Sequence, residues 1–184
     1  MACLEFRSGF KYPFNRPAGL LNILWVFIPI FGWFALFGYS ITIVKHFIKG
    51  DFKELPKFSF ADNFVLGILM FFKSVPFAIA ITVVYFIVGV IPFFGILGNL
   101  FIAIFVVPIL TINFFNKQTV ESYFELKKVN AVFSNLGEYI IAVLKTIAIK
   151  VIFFLMIIVL IGIPAGAFAK NIFMADFYRM YVKK

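Results

Sequence analysis

The sequence has very few of the side chains that carry out catalysis or bind metals. It contains one cysteine, Cys3, and one histidine, His46, among 184 residues. A single cysteine cannot form an internal disulfide. Because the two residues lie 43 positions apart and have no clustered partners, they suggest neither a nucleophile–base pair nor a zinc site. The sequence therefore predicts a protein that is not an enzyme, with no catalytic, cofactor or metal residues, and with His46 at a membrane interface.

Charged residues are also scarce. They make up 14% of the chain, whereas a typical soluble domain has about 25%. Hydrophobic residues reach 64%, and the mean hydropathy is +1.07. Residues 18–44 and 74–116 carry no charge over 27 and 43 positions, and a membrane-spanning helix needs about 20 apolar residues. We therefore expect a single integral membrane domain over residues 1–184, in which each charge-free region crosses the bilayer more than once.

Three short motifs that combine proline and glycine lie within apolar regions. Proline and glycine interrupt helices and favour turns. We interpret the motifs as hairpin turns on one side of the membrane. The turn residues are Pro29 and Gly32, Pro92 and Gly95, and Pro164 and Gly166.

These turns predict an all-α polytopic membrane helix bundle of about six transmembrane helices, arranged as three helical hairpins. The hairpins are expected at about 17–48, 64–115 and 136–182. Polar connections over 49–62 and 116–135 join them, and the second connection has room for an amphipathic surface helix.

The net charge is +9, and most of the lysine and arginine residues lie in the termini and the two connections, whereas none lies in the turns. Lysine and arginine in short loops mark the cytoplasmic side of a membrane. This distribution explains the basic charge better than nucleic-acid binding, and an anionic-lipid contact at the cytoplasmic face is the remaining alternative. We predict a multi-pass protein of the cell membrane with both termini and both connections in the cytoplasm.

Labelling of introduced cysteines from outside the cell tests this topology. Cysteines that replace Phe31 and Phe94 should react, and cysteines that replace Glu54 and Glu121 should not. The reverse pattern would contradict the predicted orientation.

A shift of 72 residues aligns the second hairpin with the third without a gap. It matches Asn63 with Asn135, Lys73 with Lys145, Pro92 with Pro164 and Asn99 with Asn171. The match predicts parallel internal repeats about an axis along the membrane normal. Convergence is the alternative, since every membrane hairpin needs a turn and flanking basic residues.

One run carries a resemblance to a known family. It comprises Phe37-Gly38-Tyr39, Ile43-Val44-Lys45, Gly50-Asp51 and Leu55-Pro56-Lys57-Phe58. This run resembles domain-of-unknown-function family four-zero-one-three, a membrane family of archaea and bacteria. The resemblance covers most of the chain from Ala18 onward. It implies a membrane architecture and no catalytic residue.

Polar residues within the predicted spans are the functional candidates, because ionisable groups are rarely found in the hydrocarbon region without a function. They are Asn99, Lys150, Lys170, Asn171 and Asp176. For the two asparagines, hydrogen bonding between helices is the structural alternative.

Lys150 and Asp176 are expected to form a buried ion pair. They lie 14 residues before and 12 residues after Pro164, and therefore at similar depth in an antiparallel hairpin. Arg179, three residues beyond Asp176, is the competing partner.

Two functions are consistent with these observations. The favoured hypothesis is a non-enzymatic scaffold or accessory subunit that contacts the lipid bilayer, other membrane proteins or anionic lipid. The second is a small transporter or lipid-handling carrier with a polar path near the five intramembrane residues. A cavity running through those residues would favour the second.

Overall fold

The computed structural model describes residues 4–91 and 94–183, and all secondary structure within these ranges is helical. The predictions for Cys3 and Pro92 fall outside the described residues. The α-helices are α1 (Phe6–Lys11), α2 (Pro17–Leu20), α3 (Phe31–Lys49), α4 (Phe60–Gly89), α5 (Phe94–Phe101), α6 (Val107–Lys117), α7 (Asn130–Ser134), α8 (Leu136–Leu155), α9 (Gly162–Ala169) and α10 (Ile172–Phe177). Shorter 3-10 segments cover Tyr12–Asn15, Leu21–Phe27, Val120–Phe124, Leu126–Val129 and Met156–Val159, and π-helical segments cover Ile102–Val106 and Tyr178–Val182.

Helix α3 lies at the centre of the bundle. It packs against α4, α6, α10 and the 3-10 segment that precedes it. Its buried residues include Tyr39 and Phe47, which have no exposed surface. The Tyr39 ring meets Phe168 of α9 edge to face, with ring centroids 5.1 Å apart. The core of the protein therefore forms around α3.

Helices α3 and α4 cross in direct backbone contact at Gly38 and Gly67. A Cβ atom on Gly38 would lie 1.9 Å from the Asn63 carbonyl oxygen, and one on Gly67 would lie 1.9 Å from the Phe34 carbonyl oxygen. The Thr42 hydroxyl donates a hydrogen bond to the Asn63 side chain at 3.0 Å near the same crossing. Small residues that permit close approach are typical of helix contacts in membranes.

Four helices are long and apolar enough to cross a membrane, among the residues described. They are Phe31–Lys49, Phe60–Gly89, Phe94–Lys117 and Leu136–Ile158. This number is lower than the six spans that the sequence predicts.

The two remaining predicted spans differ from continuous membrane helices. Residues Pro17–Phe27 form an apolar stretch of mostly 3-10 helix, which at about 2 Å per residue is shorter than a bilayer core of about 30 Å. Near the C-terminus, the chain leaves helical geometry at Lys170 and Asn171, between α9 and α10. Asn99, which the shift of 72 residues matches with Asn171, lies inside α5 and not at a helix break.

The turns lie partly where they were expected. Pro29 and Ile30 form the first turn, and Ile30 has a φ of 67°. The third turn is centred on Leu160, with a φ of 60°, and not on Pro164. Pro164 and Gly166 lie inside α9, which is a correction to the sequence-based prediction. A proline is tolerated there because the amide groups of a first helical turn have no intrahelical partner.

The connection between α6 and α8 is not one amphipathic surface helix, as the sequence had suggested. It consists of short 3-10 and α segments, and Tyr123 points inward between two helices. The Tyr123 ring stacks on Phe77 of α4 and on Phe114 of α6, with centroids 4.1 and 4.0 Å away. The segment therefore fills the space between α4 and α6.

The outer surface of the bundle carries many exposed apolar side chains. They are densest on the first turn, on α4 and α5, and on α8 and the turn after it; examples are Phe27, Phe86, Ile96, Phe154 and Ile158. A lipid-facing surface is expected to have this composition.

Candidate functional site

A groove runs along one face of α8. The residues that line it follow the spacing of a single helix stripe, in which side chains three or four positions apart lie one above another. These residues are Val143, Thr146, Ile147, Lys150, Phe153, Phe154 and Ile157.

The first half of the groove is a cavity of about 350 Å³ between α8, α10 and the helix Phe94–Lys117. Its size falls within the range of ligand pockets, roughly 300–1,000 Å³. Apolar residues dominate the lining, but Thr111, Thr146 and Asn171 add polar groups. Lys150 and Lys170 complete the wall.

The second half is a cavity of about 320 Å³ between α8 and α9. Apart from the lysines, all its lining residues are apolar, and they include Phe154, Ile157 and Ile163. Lys150 and Lys170 line both cavities. Both lysines therefore border a cavity with polar groups and one whose other lining residues are apolar.

The backbone around the first cavity is irregular at two places. The π-helical segment Ile102–Val106 contributes Ala103 and Ile104 to the lining, and the Tyr139 hydroxyl donates a hydrogen bond to the Ile104 carbonyl. Lys170 and Asn171 form the break between α9 and α10. π-bulges and broken membrane helices both occur frequently at functional sites.

The two lysines have no compensating charge in the part of the chain that the structure describes. Within the described ranges, neither ammonium group has a hydrogen-bond or ion-pair partner. Both side chains are exposed, next to exposed apolar residues such as Val151 and Phe154. A cation on an apolar surface favours an anionic partner, because charge burial is expensive unless it is compensated.

Lys150 is also remote from both ends of its helix. It follows Leu136 by 14 residues and precedes Ile158 by 8, distances of roughly 21 and 12 Å along a helix. A bilayer core is about 30 Å thick. Lys150 therefore lies in the interior of this apolar helix and not at either of its ends.

Asp176 does not pair with Lys150, so the predicted ion pair is wrong. The Asp176 carboxylate, which is 3% exposed, accepts hydrogen bonds from Arg179 at 2.7 and 3.2 Å. It also accepts one at 2.7 Å from the backbone N–H of Leu4. The local partner three residues away prevails because both groups project from the same helix face.

The N-terminal arm is tied to the same region. The Lys145 ammonium donates to the Leu4 carbonyl at 2.9 Å, and the Phe6 ring stacks on Phe173 with centroids 6.0 Å apart. Lys145 and Asp176 thus fix the arm across α8 and α10. Sequence patterns did not indicate this contact, because it joins residues more than 140 positions apart.

Asn99 lies apart from the groove, near the turn between α4 and α5. Its amide donates to the Tyr85 carbonyl at 3.2 Å, the helix-to-helix hydrogen bond that was the structural alternative for this residue. Of the five intramembrane candidates, the structure brings together Lys150, Lys170 and Asn171.

Sequence reasoning missed a second buried polar contact. Asn113 is fully buried, donates to the Ser122 carbonyl at 2.6 Å and accepts from the Tyr178 hydroxyl at 2.6 Å. It also missed Thr111 and Thr146 as lining residues. The position of Thr146, four residues before Lys150 on α8, could have indicated it, whereas Thr111 lies on α6 and could be found only after the helices had been paired.

Two carboxylates neutralise part of the basic connections. Asp51 accepts a hydrogen bond from His46 at 3.1 Å, which lowers the pKa of the aspartate. Glu125 binds the Lys117 ammonium at 2.7 Å, and this cation lowers the pKa of Glu125. Among the described residues, no group of three or more His, Cys, Asp or Glu side chains could hold a metal ion.

The residues that carry the family resemblance contact one another. The Tyr39 hydroxyl donates to the Pro56 carbonyl at 2.8 Å, Leu55 is fully buried, and Gly38 forms the crossing with α4. The connection between α3 and α4 therefore folds back onto the middle of α3.

Comparison with curated proteins gave no match, and comparison with solved structures gave none either. A family model matches residues 21–162, which include Lys150 and end before Lys170. With this match over most of its length, the chain belongs to the family described as "Protein of unknown function (DUF4013)".

Proposed function

We propose that this protein is a non-enzymatic, lipid-handling membrane carrier that holds the anionic headgroup of a lipid in the groove along α8. The observation that carries the proposal is that Lys150 and Lys170 line both cavities of the groove and have no hydrogen-bond or ion-pair partner among the described residues. Three of the five intramembrane polar residues, Lys150, Lys170 and Asn171, line these cavities, which supports this function over the scaffold role that the sequence had favoured.

Three further observations support the proposal. The groove is bordered by exposed apolar residues, so that lipid can reach it from the side. It passes a helix break at Lys170–Asn171, the kind of site where membrane carriers hold their substrates. An ammonium group inside a bilayer is stabilised when it binds a phosphate.

The proposed topology keeps both termini and both connections on the cytoplasmic side of the cell membrane. Contacts between these regions support it: Asn15 donates to the Lys53 carbonyl at 2.6 Å, and Lys128 donates to the Val182 carbonyl at 2.8 Å. The cysteine labelling described above tests this arrangement. Six spans would require residues 17–27 and 162–182 to cross with the four long helices.

The function is tested by lipid exchange between the leaflets of proteoliposomes. The full chain is reconstituted with fluorescent phosphatidylglycerol, and the fraction of label exposed to an external quencher is followed over time. The double variant Lys150→Met/Lys170→Met should slow exchange roughly ten-fold or more, because each ammonium–phosphate contact contributes about 1.5–3 kcal/mol.

Lys127→Met is the matched control, since Lys127 is an exposed lysine on the second connection. This variant should exchange lipid at the rate of the wild-type protein. Equal exchange by the double variant and the wild type would contradict the proposal. Absence of exchange together with a stoichiometric co-purifying protein would instead favour the scaffold role.

A further inference from the structure

The two halves of the groove differ in chemistry, and this difference determines which part of the ligand binds in each half. The cavity between α8 and the helix Phe94–Lys117 presents hydroxyl and amide groups. The cavity between α8 and α9 presents aromatic and aliphatic side chains apart from the lysines. Lys150 and Lys170 separate the two.

We infer that the ligand is a phospholipid with a hydroxyl-bearing headgroup. Its phosphate binds at the lysine pair, and its headgroup lies in the cavity lined by Asn171 and Thr146. An acyl chain lies in the cavity lined by Phe154 and Ile157. This inference rests on the proposed function and specifies its substrate class. A glycerol headgroup is the simplest example, and phosphatidylglycerol is its probe.

Asn171 is the residue that recognises the headgroup hydroxyls. A side-chain amide offers two donors and an acceptor, and within the described residues the Asn171 amide has no hydrogen-bond partner. It lines the same cavity as Thr146, whose hydroxyl donates to the Ala142 carbonyl at 2.8 Å. The Thr146 oxygen therefore retains a lone pair that can accept a hydrogen bond from the ligand.

The apolar cavity distinguishes a lipid from a soluble phosphate. Phe154 is 70% exposed and Ile157 is 39% exposed, so an acyl chain on these residues would remove apolar surface from both partners. A soluble glycerol phosphate would satisfy the lysines but leave this cavity empty. Binding by the phosphate alone would therefore be much weaker than binding of the lipid.

Native mass spectrometry of the full chain in detergent tests this inference. The probes are phosphatidylglycerol, phosphatidic acid with the same chains, phosphatidylcholine, and soluble glycerol phosphate as competitor. Phosphatidic acid has no group beyond its phosphate. In Asn171→Leu, the affinity for phosphatidylglycerol relative to phosphatidic acid should fall roughly ten-fold, while phosphatidic acid still binds and thereby reports an intact site.

Thr146→Val is the second variant and should lower the affinity for phosphatidylglycerol relative to phosphatidic acid by a smaller factor. Glycerol phosphate should not displace bound phosphatidylglycerol from the wild-type protein. An unchanged ratio in both variants, or displacement by glycerol phosphate, would overturn the assignment of the cavities. If the assignment of the cavities fails but Lys150→Met/Lys170→Met no longer binds either anionic lipid, the proposed function stands. The proposed function fails as well if the lysine variant binds phosphatidylglycerol and phosphatidic acid as tightly as the wild type does, and binds them no more tightly than phosphatidylcholine.

Discussion

Substitution of Gly38 by alanine is expected to destabilise the bundle severely. The added Cβ atom would lie 1.9 Å from the Asn63 carbonyl oxygen and 2.9 Å from the Gly67 nitrogen. Both are backbone atoms of α4, so no side-chain rotation relieves the overlap. Overpacking of a core typically costs about 1–3 kcal/mol, and we expect at least that loss because α3 and α4 must separate as rigid helices.

Gly137→Ala is the matched control for this prediction. Gly137 lies on α8, and a Cβ atom there would meet nothing within 4 Å. Because alanine has the higher helix propensity, this variant should gain up to about 1 kcal/mol. Reversible unfolding in mixed detergent micelles measures both changes. Equal stability of Gly38→Ala and the wild type would show that the crossing is looser than described.

Substitution of Asp176 by leucine is expected to have the second large effect. The change removes the carboxylate that accepts hydrogen bonds from the guanidinium of Arg179, with 15% of its side chain exposed, and from the Leu4 amide. Removing one partner of a buried pair typically costs about 3–5 kcal/mol, whereas removing both costs much less. Release of the N-terminal arm should follow, since Leu4 is held through Asp176 and Lys145.

A double-mutant cycle distinguishes the two cations that sequence reasoning considered for Asp176. Asp176→Leu and Arg179→Met should show clear coupling, so that the double variant is more stable than the sum of the single losses predicts. Asp176→Leu and Lys150→Met should be additive, because Lys150 lines the groove and Asp176 does not. Coupling to Lys150 but not to Arg179 would contradict the structure.

The sequence predicted the class of protein, and four of its six expected spans correspond to long apolar helices, because these features depend on composition and on local pattern. Charge-free segments and flanking lysines are visible without tertiary information. The third turn was misplaced because Pro164 is equally compatible with a turn and with a first helical turn. Leu160 adopts the positive φ instead, which no residue-type preference indicates.

The candidate site could be predicted only in part. Lys150, Lys170 and Asn171 stood out as polar residues in an apolar region, and equal depth brought Lys150 near the C-terminal helices. Equal depth in the hairpin does not specify the helix face on which a side chain lies, so Asp176 was paired with the wrong cation. The groove itself depends on the relative packing of α8, α9 and the helix Phe94–Lys117, which sequence periodicity does not determine.

Solid-state NMR in bilayers that contain phosphatidylglycerol tests the central claim most directly, by measuring dipolar coupling between lysine ammonium nitrogens and lipid phosphorus. The wild-type protein and the Lys127→Met control should both show a nitrogen–phosphorus contact that is missing from Lys150→Met/Lys170→Met, because these ammonium groups hold the phosphate inside the span. Identical nitrogen–phosphorus coupling in the wild type and the double variant would contradict the account.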